Sequence, residues 1–195
     1  MKIFKSLLTL TAFSVITAQA ATKWDLDPSH SSLNFAIDHL VISETTGKFD
    51  KFEIKTEASD TNFSDAKFSV KIDTNSINTS DAKRDGHLKS EDFFNTAKFP
   101  SITFEGKKFD KQKNGKYKIT GLLTMHGITK EVTLDASFSG EVKDPWGATR
   151  VGIKLNGVIN RYDWDLKYNS ALESGGLTIG KEVRINGNIE LIKKG

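Results

Sequence analysis

Residues 183–191 read VRINGNIEL, with Val183, Ile185, Gly187, Ile189 and Leu191 on one phase and Arg184, Asn186, Asn188 and Glu190 on the other. In an extended chain successive side chains point to opposite faces, so this phase gives one dry face and one wet face. The same period runs through 33–38, 68–73, 132–138 and 151–156. Parallel sheets covered by helices would show continuous apolar runs instead. Further strands are expected at 46–57, 100–110 and 116–125, between turn signals at Lys113-Asn114-Gly115, His126-Gly127 and Asp144-Pro145-Trp146-Gly147. The reading is all-β: about eight antiparallel strands, each with one apolar face. Such a sheet hides that face as a sandwich or by closing into a barrel, and closure also removes its edges.

The dry face carries Leu33, Phe35, Ile37, Phe68, Val70, Ile72, Ile119, Leu123, Leu134, Phe138, Ile153, Leu155, Ile185 and Ile189, among others, with no charge interrupting the strict runs. Gly121, Gly157 and Gly187 fall in the same phase, where a missing side chain leaves room for a backbone bend or a guest. A ligand inside would be apolar along most of its length. A packed barrel has the same alternation, so the pattern alone leaves a filled and a hollow interior open.

Residues 1–20 have the parts of a secretory signal: Lys2 and Lys5, a short apolar run from Leu7 to Ile16, and the small-x-small Ala18-Gln19-Ala20. Cleavage after Ala20 would leave one domain, 21–195, long enough to bury its own core. The apolar run is too short to span a bilayer comfortably, and no transmembrane segment is expected. Lys2 and Lys5 account for two of the three net positive charges, so the mature chain is nearly neutral and has no footprint for nucleic acid. The absence of cysteine excludes disulfides and thiol chemistry. An exported chain of this kind suits the periplasm.

Enzyme signatures are sparse. His30, His39, His87 and His126 form no closely spaced pair. The nine-residue separation of His30 and His39 puts them on opposite faces of a strand, about 30 Å apart. No metal site is expected. The densest chemistry is Asp81, Arg84, Asp85 and His87, which reads as an acid–base cluster or as architecture. In the architectural reading Ser80 or Asp81 caps a first helical turn and Gly86 strains or ends it. Ser90 caps a second turn that offers Phe93 and Phe94 to the barrel. Pro100 then starts the next strand. The segment near 81–96 becomes a short helical crossover, braced by Arg84 and Asp85.

Many blocks together resemble the YceI-like family of periplasmic polyisoprenoid-binding proteins. At the start they are Trp24, Leu26-Asp27-Pro28-Ser29-His30, Phe35, Ile37, His39-Leu40, Gly47 and Phe49. In the middle they are Arg84-Asp85, His87-Leu88, Asp92-Phe93-Phe94, Lys98-Phe99-Pro100, Ile102, Phe104, Gly121, Leu123-Thr124, His126-Gly127, Thr129-Lys130 and Val132. Toward the end come Asp144-Pro145, Gly147, Arg150, Gly152, Ile159-Asn160-Arg161, Asp163 and Val183. The resemblance implies a lipocalin-like antiparallel barrel with an elongated apolar cavity. It further implies an isoprenoid, quinone or similar amphiphile inside, with no cofactor required, and a homodimer. Phe93, Phe94 and Phe104 join the dry face as expected cavity walls. Arg84, His87, Arg150 and Arg161 are expected either at the mouth, holding a polar headgroup, or in structural ion pairs. The expectation is a lipid-binding protein for transport, storage or sequestration. The alternatives are a ligand-free structural or stress protein and an enzyme using Arg84, Asp85 and His87.

Overall fold

The computed structural model describes residues 21–59, 63–171 and 177–194; the expected signal at 1–20 lies outside them. Among these residues the strands are β1 (Thr22–Leu26), β2 (Ser32–His39), β3 (Ser43–Phe49), β4 (Phe52–Ala58), β5 (Lys67–Asp73), β6 (Ile77–Asn78), β7 (Ser101–Lys111), β8 (Tyr117–Met125), β9 (Ile128–Lys143), β10 (Thr149–Asn160) and β11 (Ile179–Lys193), with one helix, α1 (Ala82–Lys89).

Six of these strands are halves of three broken ones. β1 and β2 lie end to end along β11, Trp24 opposite Lys193 and His39 opposite Ile179. β3 and β4 run back along β2 and β1, and β5 and β6 return along β4 and β3. With each broken pair taken as one, the sheet is an eight-stranded antiparallel meander closed by the pairing of β1 with β11. It is a barrel and not a sandwich. The strand expected at 46–57 is two elements, because Asp50 and Lys51 turn out of the ladder to donate their backbone N–H groups to Ser76. β1 is too short for alternation to announce it.

The ladder between β5 and β7 stops at Asp73 opposite Ser101. From there the chain crosses the rim through β6, α1 and the segment that follows. Asp81 caps α1, its carboxylate accepting from Lys83 N and Arg84 N at 3.0 Å each. Gly86 does not end the helix, which runs on to Lys89. A Cβ at Gly86 would meet nothing within 4 Å, so the glycine costs only propensity, about 1 kcal/mol. Ser90 ends the helix, its hydroxyl donating to His87 O at 2.7 Å. Asp85 accepts from both the N–H and the hydroxyl of Thr79, which ties α1 to the end of β6.

The interior is packed at one end and hollow at the other. At the packed end Trp24 of β1 meets Phe63 with ring centres 5.3 Å apart, Phe63 stacks on Phe138 at 5.1 Å, and Tyr117 meets Phe138 at 4.8 Å. Ile119, Val151, Ile153, Ile189 and Leu191 fill the core with them, each 3% exposed or less. The inward glycines are occupied by neighbours and not by a guest. A Cβ on Gly121 would lie 2.4 Å from the Glu105 carbonyl oxygen and 2.5 Å from Phe104, and one on Gly157 would lie 2.4 Å from Leu134. No helix among the described residues is long and apolar enough to cross a membrane.

Candidate functional site

The hollow end is a cavity of about 430 Å³ reaching from the middle of the barrel to the rim. Its wall follows from the alternation. Leu33, Phe35, Ile37, Phe68, Val70, Ile72, Phe104, Leu123, Leu134, Leu155 and Ile185 all line it. Phe93 and Phe94 of the crossover line it too, Phe94 meeting Phe49 edge to face at 6.2 Å. The other expected wall residues, Ile119, Phe138, Ile153 and Ile189, point inward but pack the closed end. Phase tells which side of the sheet a residue faces, not its height along the barrel axis.

Several lining residues were not singled out from sequence. Ile102 and Met125 continue the phase of Phe104 and Leu123, so the same signal extended by one step finds them, whereas Phe49 ends β3, whose sequence SETTGKF carries no apolar alternation. Leu88, Leu166 and Tyr168 come from the helix and from an irregular segment, where no period marks an inward side chain.

The mouth is an aromatic clasp between two segments. His87 of α1 sits edge-on to Phe93 at 5.0 Å and to Tyr168 at 4.8 Å, and Phe93 meets Tyr168 at 4.9 Å. His87 Nε2 lies 2.9 Å from Asp92 Oδ2. Arg84 donates from Nε to the Thr79 hydroxyl at 2.8 Å and from Nη2 to Thr79 O at 2.9 Å. Both Arg84 and His87 line the cavity.

Arg161 lines the same cavity and is 3% exposed. Its guanidinium donates to the backbone oxygens of Gly180 at 2.8 Å and Ile179 at 3.4 Å, and to Leu166 O. These bonds stitch the connection after β10 to the start of β11. Loss of hydration pushes its pKa below the usual arginine value. Trp164 closes the same corner, 1% exposed, with its indole N–H donating to Leu123 O at 3.2 Å.

Arg150 stands elsewhere. It lies on the polar phase of β10, on the outer wall, and does not line the cavity. It contacts Asp27 Oδ2 at 2.7 Å, Asp144 Oδ2 at 2.7 Å and Glu190 Oε1 at 2.6 Å. Asp27 also takes bonds from Ser29 and His30. The hydroxyl of Ser29, then His30 and Arg150, hold the Asp27 carboxyl well below the ordinary range. The Asp27 carboxylate in turn raises His30. Asp27, His30 and Glu190 bring their ligand atoms within 4.8 Å of one another, and the positive charge among these carboxylates is the Arg150 guanidinium. Trp146, in the turn between β9 and β10, is 86% exposed.

Comparison with known proteins fits this architecture. Residues 24–191 match the model of the YceI-like domain. A UPF0312 protein of Staphylococcus aureus strain N315 is 41% identical over 170 residues, covering 87% of this chain and 96% of the relative. Among solved structures, a Campylobacter jejuni YceI protein superposes with a TM-score of 0.69 at 33% identity, covering 81% of this chain and 90% of the other. Burkholderia cenocepacia BcnA gives 0.74 at 19% identity, covering 85% and 99%. A polyisoprenoid-binding domain from Saccharophagus degradans gives 0.62 at 18% identity, covering 88% and 98%.

Proposed function

This chain belongs to the YceI-like family, and from that premise we propose that it is a periplasmic carrier, holding an isoprenoid, quinone or similar long-chain amphiphile for transport, storage or sequestration. The observation that carries the reading is the apolar cavity inside a closed barrel. Its volume lies within the range of small-molecule sites, about 300–1,000 Å³. Each methylene buried there contributes about 0.8 kcal/mol, so a long chain offsets the cost of association. The structural likeness to a polyisoprenoid-binding domain supports the same ligand class.

The reading is of binding: at the mouth His87 is held by Asp92 and Arg84 by Thr79, beside an apolar cavity wall. A ligand-free structural role would suit a filled interior, and the hollow half stands against it. Residues 1–20 would direct export.

Native mass spectrometry of the full chain, expressed with its N-terminal segment and purified without detergent, tests the reading. The expected spectrum shows a copurified lipid, or uptake of a quinone when one is offered, on a protein beginning at Ala21. A protein that carries no lipid and takes up neither a quinone nor a fatty amide would overturn it.

A further inference from the structure

We propose that the turn between β2 and β3 is a membrane-docking tip, which inserts Val41 and Ile42 into the surface of a phospholipid bilayer and turns the open end of the barrel toward the lipid. Docking rests on the cavity-binding reading above for its purpose, and adds the surface at which a carried molecule enters or leaves.

Val41 is 75% exposed and Ile42 is 85% exposed, and neither lines the cavity. Single apolar residues scattered on a surface are ordinary, but two adjacent β-branched ones are not the usual content of a hairpin turn. Leu40 and Val41 both have positive φ, 53° and 64°. Such a pair of central positions normally falls to Asn-Gly or Asp-Gly, because a branched side chain resists the left-handed region. The turns after β7, β8 and β9 each place a glycine at positive φ: Gly115 at 78°, Gly127 at 75° and Gly147 at 94°. The β2–β3 turn carries aliphatic side chains against the preference of its own backbone, so turn geometry does not account for them.

The tip stands on the rim of the hollow end. At its base His39 pairs with Ser43 and with Ile179, and His39, Thr45, Thr178 and Ile179 all line the cavity. Polar groups of the turn are paired within the protein. Leu40 N–H donates to Thr178 O at 2.9 Å, Ile42 N–H to His39 O at 3.3 Å, and the Ser43 hydroxyl to His39 O at 3.2 Å. A backbone that satisfies its own donors enters an apolar layer at less cost. Residues 39–43 include no acid, lysine or arginine. The flanking acids, Asp38 and Glu44, face each other across the ladder and share the Arg184 guanidinium. Tyr168, 41% exposed beside His87 and Phe93, adds an aromatic ring of the kind that settles at a membrane interface.

A bilayer fits this tip better than a protein partner does. Two aliphatic side chains fall far short of the roughly 800 Å² per partner of a stable protein interface. A bilayer demands no matching shape, and the strength of attachment scales with the apolar area inserted. One β-branched side chain moved from water into hydrocarbon shifts that equilibrium at least about tenfold. Two such residues give a weak, reversible attachment, which suits a protein that must leave the membrane again. Val142 and Trp146 are exposed as well. They belong to the β9–β10 hairpin beyond the pairing of Val151 with Leu191, at the packed end and away from the mouth.

The test uses the chain beginning at Ala21 and its sedimentation with two kinds of vesicle, one of phosphatidylcholine and one of phosphatidylethanolamine with phosphatidylglycerol. The protein should partition onto both, and high salt should leave its partition onto phosphatidylcholine unchanged, because apolar insertion is not screened. Ile42→Asp should lower the partition at least about tenfold. Uptake of an isoprenyl probe in solution, without vesicles, should be the same in that variant as in the unaltered protein. If Ile42→Asp fails to fold, Val41→Trp decides. Relative to the unaltered protein, it should add indole emission that shifts to the blue on vesicles and is quenched by bromine-labelled acyl chains; added emission that is not quenched would overturn docking. Equal partition of Ile42→Asp and the unaltered protein, or no partition of either, would also overturn docking, while probe uptake left cavity binding standing. Partition that Ile42→Asp abolishes, with no probe uptake by either protein, would uphold docking and overturn the carrier reading. Self-association in the ultracentrifuge that Ile42→Asp abolishes would assign the tip to a second copy of the chain and overturn its assignment to a bilayer.

Discussion

The two ends of the barrel are built from the same alternating strands and differ in what closes them. At the packed end the plug comes from outside the long strands: Trp24 from short β1 and Phe63 from the β4–β5 connection lie against Phe138 and Tyr117. At the hollow end the crossover and the segment after β10 reach only the rim, where His87, Phe93 and Tyr168 meet. Strand number and stagger fix the width of the tube. Whether a stretch of it is core or cavity depends on whether a connection folds a large side chain inward.

If that is the difference, truncations at the two ends should separate stability from binding. Trp24→Ala opens a void in the plug and should cost about 3–5 kcal/mol, read as a lower midpoint in urea. Phe94→Ala, on the cavity side, should cost less than half as much and shift affinity for an isoprenyl probe instead. Equal losses at the two sites would break the comparison.

Gly121→Ala comes next. Its Cβ would press on the Glu105 carbonyl oxygen, a backbone atom that cannot rotate away. An overpacking cost of about 1–3 kcal/mol is expected, with the midpoint in urea as the readout. Ile185→Trp fills the void and should change stability by less than about 1.5 kcal/mol, while binding of the same probe falls at least about tenfold. Unchanged binding would put the ligand outside the barrel.

The smallest effect concerns the cluster outside the wall. The depressed Asp27 contributes stability that is present in full above the ordinary carboxylate value of 3.8 and is lost as the pH falls toward its lowered native value. The raised His30 works in the opposite sense. Its contribution is present below 6.5 and is lost as the pH rises through its elevated native value. The melting temperature should therefore drop on acidification below about pH 4, the ordinary carboxylate range, and decline slightly above neutrality. His30→Gln should remove the second decline and leave the first.

Much of this fold was legible in the sequence. β5, β10 and β11 announce themselves by period two, and the inner face they predict is the inner face observed. The helical crossover was legible too, because Asp81 is a capping residue in a capping position; Ser90, read as the start of a second turn, instead ends α1. Height along the barrel was not legible: Ile153 and Leu155 share a strand and a phase, yet one packs the plug and the other lines the cavity. Whether Arg150 serves the mouth or a structural ion pair was not legible either, for a related reason. Its partners lie at 27, 144 and 190, brought together only by closure.

The seam of the barrel carries a consequence for the order of events during synthesis. β11 is bonded at once to β10, β2 and β1, so the first strands in the chain, already paired with β3 and β4 on one side, find their second neighbour only in the last. A growing polypeptide can add β7 through β10 as successive neighbours along the sheet, with one longer crossover between β5 and β7. It cannot complete the tube until the fifteen residues of β11 have emerged. Until then one long margin, including Leu33, Phe35 and Ile37, stands open with its amides and its greasy face unmatched. Such long-range closures are the slow step in β-sheet folding and the interval most open to aggregation. Before β11 emerges, no other strand among the described residues covers that margin.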